Sequence, residues 1–394
     1  MSVRVLAFFD ARYQSSADVR RLYGEGDAWR RVREARPASR QHFALNLPST
    51  LGQYDLAQPE AAGRVVAMAR QVGIDGFVLD CRWDGEAYVT GAQALAPMCG
   101  DSFALAFQWR NGEEDFWKAP ASRSDRTERA SRLISALKVG LPILADGRLL
   151  MIVDRPKELA DPGEVLGILK EEACRAGLPG LYVIANRSED KGRFLSNGYD
   201  ALVDPGPAEW HSCSPSNRPN GLTFLEVMAG LRDSVDYLDR FFPYVLFAVA
   251  RMINRSQRGK VMPRVFPAYY DWALHPDGGA THLAVQGKPF DSYIYGLFVE
   301  NAMLFSQQNF APDERFVFLE SWNDWLTGSQ VEPSLLDGDM IYNATKSAID
   351  RGRYVIQTRN EESAGGIDEA MKTRIALLVE AAQTLSAASG KTGG

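Results

Sequence analysis

The chain reads as a (β/α)8 barrel. Eight short apolar runs bounded by polar or turn residues recur along it, helical patterns lie between them, and no GxGxxG or GxxxxGK[ST] segment follows any run. The first two observations fit buried parallel strands joined by crossover helices. The third counts against the rival, a doubly wound open sheet with a phosphate-binding turn at a strand end.

The expected strands are Val3–Phe9, Asp75–Leu79, Phe103–Trp109 and Arg148–Val153, then Gly180–Ala185, Asp200–Val203, Val261–Phe266 and Phe316–Leu319. Helices are expected over Pro59–Gly73, Asp125–Lys138 and Asp161–Gly177, and again over Leu222–Phe241, Ser292–Ser306 and Ile341–Arg351. Asp161, followed by Pro162 and Glu164, has the residues of a capped helix start, and Gly177 supplies a stop. Two long decorations, Ala11–Gln58 and Asp204–Lys260, follow the first strand and precede the seventh, where such folds place specificity. Residues 1–360 are thus expected to form one barrel, and residues 361–394 a linker, a closing amphipathic helix over Ile367–Leu385 and a frayed tail.

Composition narrows the partners. The 394 residues are 45% apolar, with 44 basic and 50 acidic side chains and a net charge of -6. That suffices for one large core and argues against nucleic acid or an anionic membrane as the main partner, while leaving neutral sugars open. No run of 18 apolar residues predicts a transmembrane segment, and the apolar run in MSVRVLAFFDARY is too short for a signal peptide, so a cytoplasmic location is expected. The four cysteines (Cys81, Cys99, Cys174, Cys213) form no CxxC pair and are expected as free thiols. The four histidines show no HxH or HExxH spacing, so neither metal nor cofactor is expected, and the DGD at Asp337–Asp339 is read as a turn.

Barrel chemistry sits at the C-terminal ends of the strands. Read to their ends, the strands deliver Asp10; Asp80 with Arg82, Trp83 and Asp84; Trp109 and Arg110; Asp154 with Arg155; and Asn186. Asp204, then Tyr269, Tyr270 and Asp271, and finally Glu320, Asn323 and Asp324 complete the set. Each acid alone reads as a helix cap and each tryptophan alone as packing. Gathered on one rim they suit a sugar, whose C–H faces stack on aromatic rings and whose hydroxyls bond to carboxylates and amides. Neighbouring carboxylates also split their pKa values, which supplies the acid and the base of glycosidic chemistry.

Several ordered motifs carry a resemblance. The segment ESWNDWLTGSQVEP is similar to N-A-W-N-E-W-x-E-G-x-x-L-E-P of the WbsX-type glycosyltransferases, whose domain is like that of glycoside hydrolase family 99, the endo-α-mannosidases. Trp322, Asn323, Trp325, Gly328, Glu332 and Pro333 match in register. LPSTLGQYDL (Leu47–Leu56), GIDGFVLDCRW (Gly73–Trp83), GRLLMIVDRP, AGLPGLYVI and VFPAYYD resemble further motifs in the same order, over about Val3 to Arg351. The resemblance implies a (β/α)8 fold and work on glycosidic bonds in polysaccharide or glycoconjugate assembly.

It also implies roles. In the related hydrolases the first Glu of E-W-x-E acts as base towards the sugar's own 2-hydroxyl and the second is the general acid. Those positions are Asp324 and Thr327 here, and threonine cannot serve as an acid near neutral pH. Glu320 stands where the family carries Asn and adds a carboxylate. Around the third strand W-x-N-E-N-W becomes WRNGEEDFW, keeping Trp109 and Asn111 but not the acid. The catalytic candidates are therefore Asp324, Glu320 and Asp271. The substrate-binding candidates are Asp10, Asp80, Asp84, Arg110, Asn111, Asp154, Asn323, Thr327 and Glu332, with Trp83, Trp109, Tyr270, Trp322 and Trp325 as aromatic walls. Arg82, Arg110 and Arg155 are either partners of donor phosphates or rim salt bridges. Three functions stay open at this point. They are glycosyl transfer to an oligosaccharide or polysaccharide acceptor with a nucleotide sugar as candidate donor, retaining hydrolysis with Glu320 as a relocated acid, and sugar binding without catalysis.

Overall fold

The computed structural model describes residues 2–16, 19–20, 28–36, 46–186, 191–204, 241–243, 260–270, 274, 284–286 and 291–362. All eight expected strands are present: β1 (Arg4–Phe8), β2 (Gly76–Asp84), β3 (Ala104–Trp109), β4 (Arg148–Val153), β5 (Leu181–Ala185), β6 (Ala201–Val203), β7 and β8 (Phe316–Leu319). β7 consists of two pieces, Val261–Met262 and Arg264–Val265, split by Pro263, which has no N–H to give to the ladder. The first piece pairs with β6 (Val261 opposite Leu202) and the second with β8 (Arg264 opposite Phe318). With β1 paired in parallel to both β8 and β2, the ring is closed. The fold is a (β/α)8 barrel.

Helices cover the outside: α1 (Ala28–Glu34), α2 (Pro59–Val72), α3 (Ala92–Cys99), α4 (Arg123–Ala136), α5 (Pro162–Arg175), α6 (Lys191–Ser196), α7 (Asp291–Asn309) and α8 (Met340–Glu362). Asp161 does not cap α5. It sits at φ 51° without a side-chain cap bond, and its carboxylate pairs with Arg126 at 3.0 Å. α4 starts two residues earlier than expected, because Ser122 accepts a hydrogen bond from the Asp125 N–H. α8 runs eleven residues past the expected end at Arg351. The expected helix over Leu222–Phe241 lies outside the described residues except at Phe241, which begins a short strand, Phe241–Pro243, and the linker, closing helix and tail beyond 362 lie outside them too.

Side chains alternate across each strand, so the barrel has two apolar layers. Phe8, Val78, Ala106, Ile152, Ile184, Val203, Met262 and Phe318 belong to one cluster, the barrel interior. Ala7, Phe77, Leu79, Phe107, Trp109, Met151, Val183, Leu202 and Leu319 belong to the other, between strands and helices. At the entry of β2 a Cβ on Gly76 would come within 2.2 Å of the Ala104 carbonyl, so only glycine lets β2 and β3 approach there. The described cysteines Cys81, Cys99 and Cys174 are free. Among the described residues no helix is long and apolar enough to cross a membrane.

Candidate active site at the barrel mouth

The alternation that fills the barrel also decides what stands at its mouth. Two residues beyond an inward apolar residue comes the next inward side chain. Phe8 leads to Asp10, Val78 to Asp80, Ala106 to Gln108, Ile152 to Asp154, Ile184 to Asn186, Met262 to Arg264 and Phe318 to Glu320. Seven strands therefore end their inward columns in a polar group.

These groups are wired together. Glu320 pairs with Arg264 through the guanidinium Nε. Arg264 Nη1 donates to Asn186 Oδ1 at 2.9 Å, and its guanidinium lies over the Phe8 ring, 4.1 Å from the centroid. Asn186 Nδ2 and Gln108 Nε2 both donate to Asp154 Oδ1, at 3.3 and 2.9 Å. Arg110 lies 3.3 Å from Asp154, 3.8 Å from Asp80 and 3.4 Å from Glu113, and Arg82 pairs with Asp80 at 2.8 Å. Arg155 reaches Asp154 at 3.9 Å and Glu158 at 3.5 Å. Every arginine expected to meet donor phosphate thus faces carboxylates already.

Asp324 completes the centre. The Thr327 hydroxyl donates to its Oδ2 at 2.8 Å, while its Oδ1 is buried and receives no hydrogen bond from the described residues. Its charge reaches two other carboxyls. Burial, opposed by Arg12 and assisted by Asp324, pushes Asp10 up to about 6. Burial, opposed by Arg264 and assisted by Asp324 and Asp154, pushes Glu320 up to about 7. Both carboxyls feel the charge of Asp324, and Glu320, raised to about 7, is the one poised to give and retake a proton near neutral pH, as proton transfer at a glycosidic oxygen requires. Gln108 Oε1 is a second buried acceptor without a donor among the described residues. Both suit a ligand rich in hydroxyls.

Other expected site residues have different work. Trp322 and Trp325 are fully buried in the outer layer, and their indole N–H groups donate to Glu332 Oε1 at 2.7 Å and Oε2 at 3.1 Å. Tyr54 donates to the same carboxylate at 3.0 Å. Glu332 is therefore the knot that folds the loop after β8 onto the barrel, and neither it nor the two tryptophans faces the mouth. Trp109 lies on the outward column of β3 and donates to Glu114 at 3.0 Å. Trp83, on the outward column of β2, has its ring covered by the Arg129 guanidinium of α4, 3.9 Å from the centroid. In this structure these four tryptophans pack instead of lining a sugar site, because each falls on the outer side of its strand or loop. Tyr270 is buried against Gly328, and its N–H donates to the Thr327 carbonyl at 2.6 Å.

Two asparagines act as backbone clamps. Asn323 accepts from the Asp10 N–H and donates to the Asp10 carbonyl, both at 2.8 Å, and so locks the end of β1 to that of β8. Asn111 does the same to Arg155, also at 2.8 Å in both directions. Asp84 has the inward parity of β2 but is exposed, on the hairpin between β2 and the short strand Glu86–Val89. Asp271 lies outside the described residues. Sequence reasoning missed Arg264 and Gln108. Their signal was a polar residue inside an apolar run, VMPRVF and FALAFQW, on the same parity as the barrel core.

Comparison with known proteins agrees with this architecture. The family model described as Glycosyltransferase WbsX matches residues 5–89 and 106–345. The protein WxcX of Xanthomonas campestris pv. campestris is 22% identical over 368 residues, which is 88% of this chain and 50% of that protein. The chain thus spans about half the length of the curated relatives it matches. Among solved structures, the GH99 endo-alpha-mannosidase from Bacteroides thetaiotaomicron superposes with a TM-score of 0.56 at 14% identity, covering 90% of this chain and 99% of that one. A glycoside hydrolase-like protein superposes at 0.51 and 15% identity, covering 88% and 94%. At these identities the likeness is one of fold.

Proposed function

The chain belongs to the WbsX glycosyltransferase family, and from that premise we propose that it transfers a glycosyl group to a saccharide acceptor at the barrel mouth, in polysaccharide or glycoconjugate assembly. The observation that carries this reading is Asp324, one of whose buried oxygens receives no hydrogen bond from the described residues, coupled electrostatically to Glu320, whose carboxyl is pushed up to about 7. Asp324 serves as base or as stabiliser of positive charge at the reacting carbon. Glu320 gives its proton to the departing glycosidic oxygen as the carbon–oxygen bond breaks. An acceptor hydroxyl then forms the new bond and returns a proton to Glu320. Asp80, Asp154 and Gln108 hold sugar hydroxyls.

This assignment favours a saccharide donor over a nucleotide sugar. A diphosphate leaving group needs no protonation, and to reach Arg82, Arg110 or Arg155 it must displace carboxylates already in contact with them. Hydrolysis by the same residues is the second reading, and a protonatable Glu320 beside Asp324 is the observation that favours it. The test is incubation with oligosaccharides and nucleotide sugars, each with and without acceptor, followed by mass spectrometry of products. An elongated acceptor formed from an oligosaccharide donor supports the proposal. Free sugar alone points to hydrolysis, nucleotide release to a nucleotide-sugar donor, and binding without turnover to a sugar-binding protein.

A further inference from the structure

Arg264 is an unusual residue for its place. It sits mid-strand in the apolar run VMPRVF, is buried, and projects from β7 into the mouth of the barrel. Three elements fix its guanidinium: Asn186 at the end of β5 accepts from Nη1 at 2.9 Å, the Phe8 ring of β1 lies beneath it at 4.1 Å, and Glu320 after β8 pairs with Nε. A buried arginine restrained on three sides has few rotamers left, so it presents its charge to Glu320 from a fixed direction. Nothing in the family assignment gives it a role.

We propose that Arg264 is the positioning residue of this site: anchored by Asn186 and Phe8, it fixes the Glu320 carboxyl at the barrel mouth and sets its charge state. The inference rests on the reading of Glu320 as the proton carrier but concerns a property that can be measured without turnover. Among the described residues, the charged groups that act on Glu320 are Arg264 on β7, Asp324 in the loop after β8, and Asp154 at the end of β4. The two aspartates and burial all favour the protonated carboxyl, and among the described residues Arg264 opposes them. Without Arg264, Glu320 would hold its proton throughout the neutral range and could not cycle. With Arg264 in place it is poised near the pH where donation and recapture are both accessible.

The experiment is a pH titration of the Glu320 carboxyl by difference infrared spectroscopy, its band assigned with Glu320→Gln. In the full chain the midpoint is expected near 7. In Arg264→Gln it should move upward by about one unit or more, the size typical for removing an adjacent opposite charge. Arg264→Lys, which keeps the charge but loses the planar fork to Asn186, should keep the midpoint close to the wild-type value while leaving turnover reduced. If Arg264→Gln does not fold, Arg264→Met with Glu320→Gln removes the whole pair and reports whether the scaffold tolerates its loss. Arg264→Lys then carries the test alone. An unchanged or lowered midpoint in Arg264→Gln overturns the inference. So does a midpoint in Arg264→Lys that rises by about one unit or more. A shifted midpoint in a protein with no transferase activity leaves the inference standing and removes the functional proposal instead. An unshifted high-pH limb in an active Arg264→Gln enzyme does the reverse.

Discussion

The Thr327 hydroxyl donates to Asp324 Oδ2 at 2.8 Å, and the neighbouring Ser329 hydroxyl donates to the Ala268 carbonyl at 2.7 Å. The residue at the family's acid position therefore orients the carboxylate at the base position. A hydrogen bond to a charged group contributes about 1.5–3 kcal/mol. Thr327→Val is accordingly expected to lower turnover by about tenfold, and steady-state kinetics on the active substrate checks it. Thr327 is only 4% exposed, with its hydroxyl 3.1 Å from Ser329 Oγ and 2.8 Å from Asp324 Oδ2, so a glutamate there must bury a larger, charged side chain. It should lower the melting temperature and bring no gain in cleavage. A folded Thr327→Glu variant that cleaves an oligosaccharide faster would show that the lost acid, not its replacement, governs the site.

Asp324→Asn and Glu320→Gln should each reduce kcat/KM by about 100-fold or more, the contribution of a positioned proton-transfer group. The pH profile separates them. Glu320 acts in its protonated form, so kcat/KM should fall as pH rises through about 7, where it loses the proton. That high-pH limb should vanish in Glu320→Gln and survive in Asp324→Asn. A limb that persists in Glu320→Gln assigns the proton to another group.

How far was this site legible in the sequence? The eight strands were, because each is a short apolar run with turn residues at both ends, and so was the rim of acids that follows. Parity within a run was also written there: Gln108 and Trp109 are neighbours in FALAFQW, and the barrel interior takes Gln108 while the outer layer takes Trp109. Weight given to the aromatic ring over the alternation put the wrong one of the pair at the mouth. Trp322 and Trp325 lie in a loop, where no period says which way a side chain turns. Their direction is set by Glu332, seven to ten residues further on, which becomes their acceptor only when the loop folds back. Arg264 was hidden differently. A cation in an apolar strand looks like an interruption until its partners, Asn186 and Glu320, arrive from strands far away in the sequence.

Asn323→Ala tests the clamp on Asp10. The change leaves the Asp10 N–H and carbonyl without their partner and removes a donor from Tyr54 Oη, 3.1 Å away. Each unsatisfied buried group costs about 1–3 kcal/mol. Denaturant unfolding should show a loss of at least about 2 kcal/mol, and any folded fraction should turn over more slowly because Asp10 is no longer held beside Asp324. A variant of wild-type stability would mean that water replaces the clamp.

Gly328→Ala isolates the packing of Tyr270. Gly328 has φ +73°, and an added Cβ would lie 2.3 Å from two ring carbons of Tyr270. Gly177, at φ +77° with nothing within 4 Å of its would-be Cβ, is the matched control. Both alanine variants bear the left-handed backbone cost of about 1–2 kcal/mol, and only Gly328→Ala adds overpacking of about 1–3 kcal/mol. The difference between the two unfolding free energies is therefore the cost of displacing Tyr270. Equal losses would mean that the ring moves aside freely.

Glu332 should leave a pH signature on stability. Burial pushes its carboxyl up to about 8, against the pull of hydrogen bonds from Tyr54, Trp322 and Trp325. An unfolded glutamate titrates near about 4.3. The folded protein thus holds this proton more tightly than the unfolded chain, and the sign follows from linkage. The stabilising contribution is fully present below the unfolded value and is lost as pH rises towards about 8. Glu332→Gln abolishes the titration. It also turns an amide N–H2 towards an indole N–H, so the variant should be less stable than wild type at pH 5 by about 1–3 kcal/mol. Only the wild type loses stability through this group, at about 1.4 kcal/mol per pH unit, so the gap should close within about one to two units and reverse before pH 8. Asp10 and Glu320 titrate in the same window in both proteins, and their contributions largely cancel in the difference. Melting curves of the pair at half-unit intervals decide the matter: a gap constant from pH 5 to 8 would mean that Glu332 keeps one charge state throughout and holds the tryptophan pair as a permanent ion.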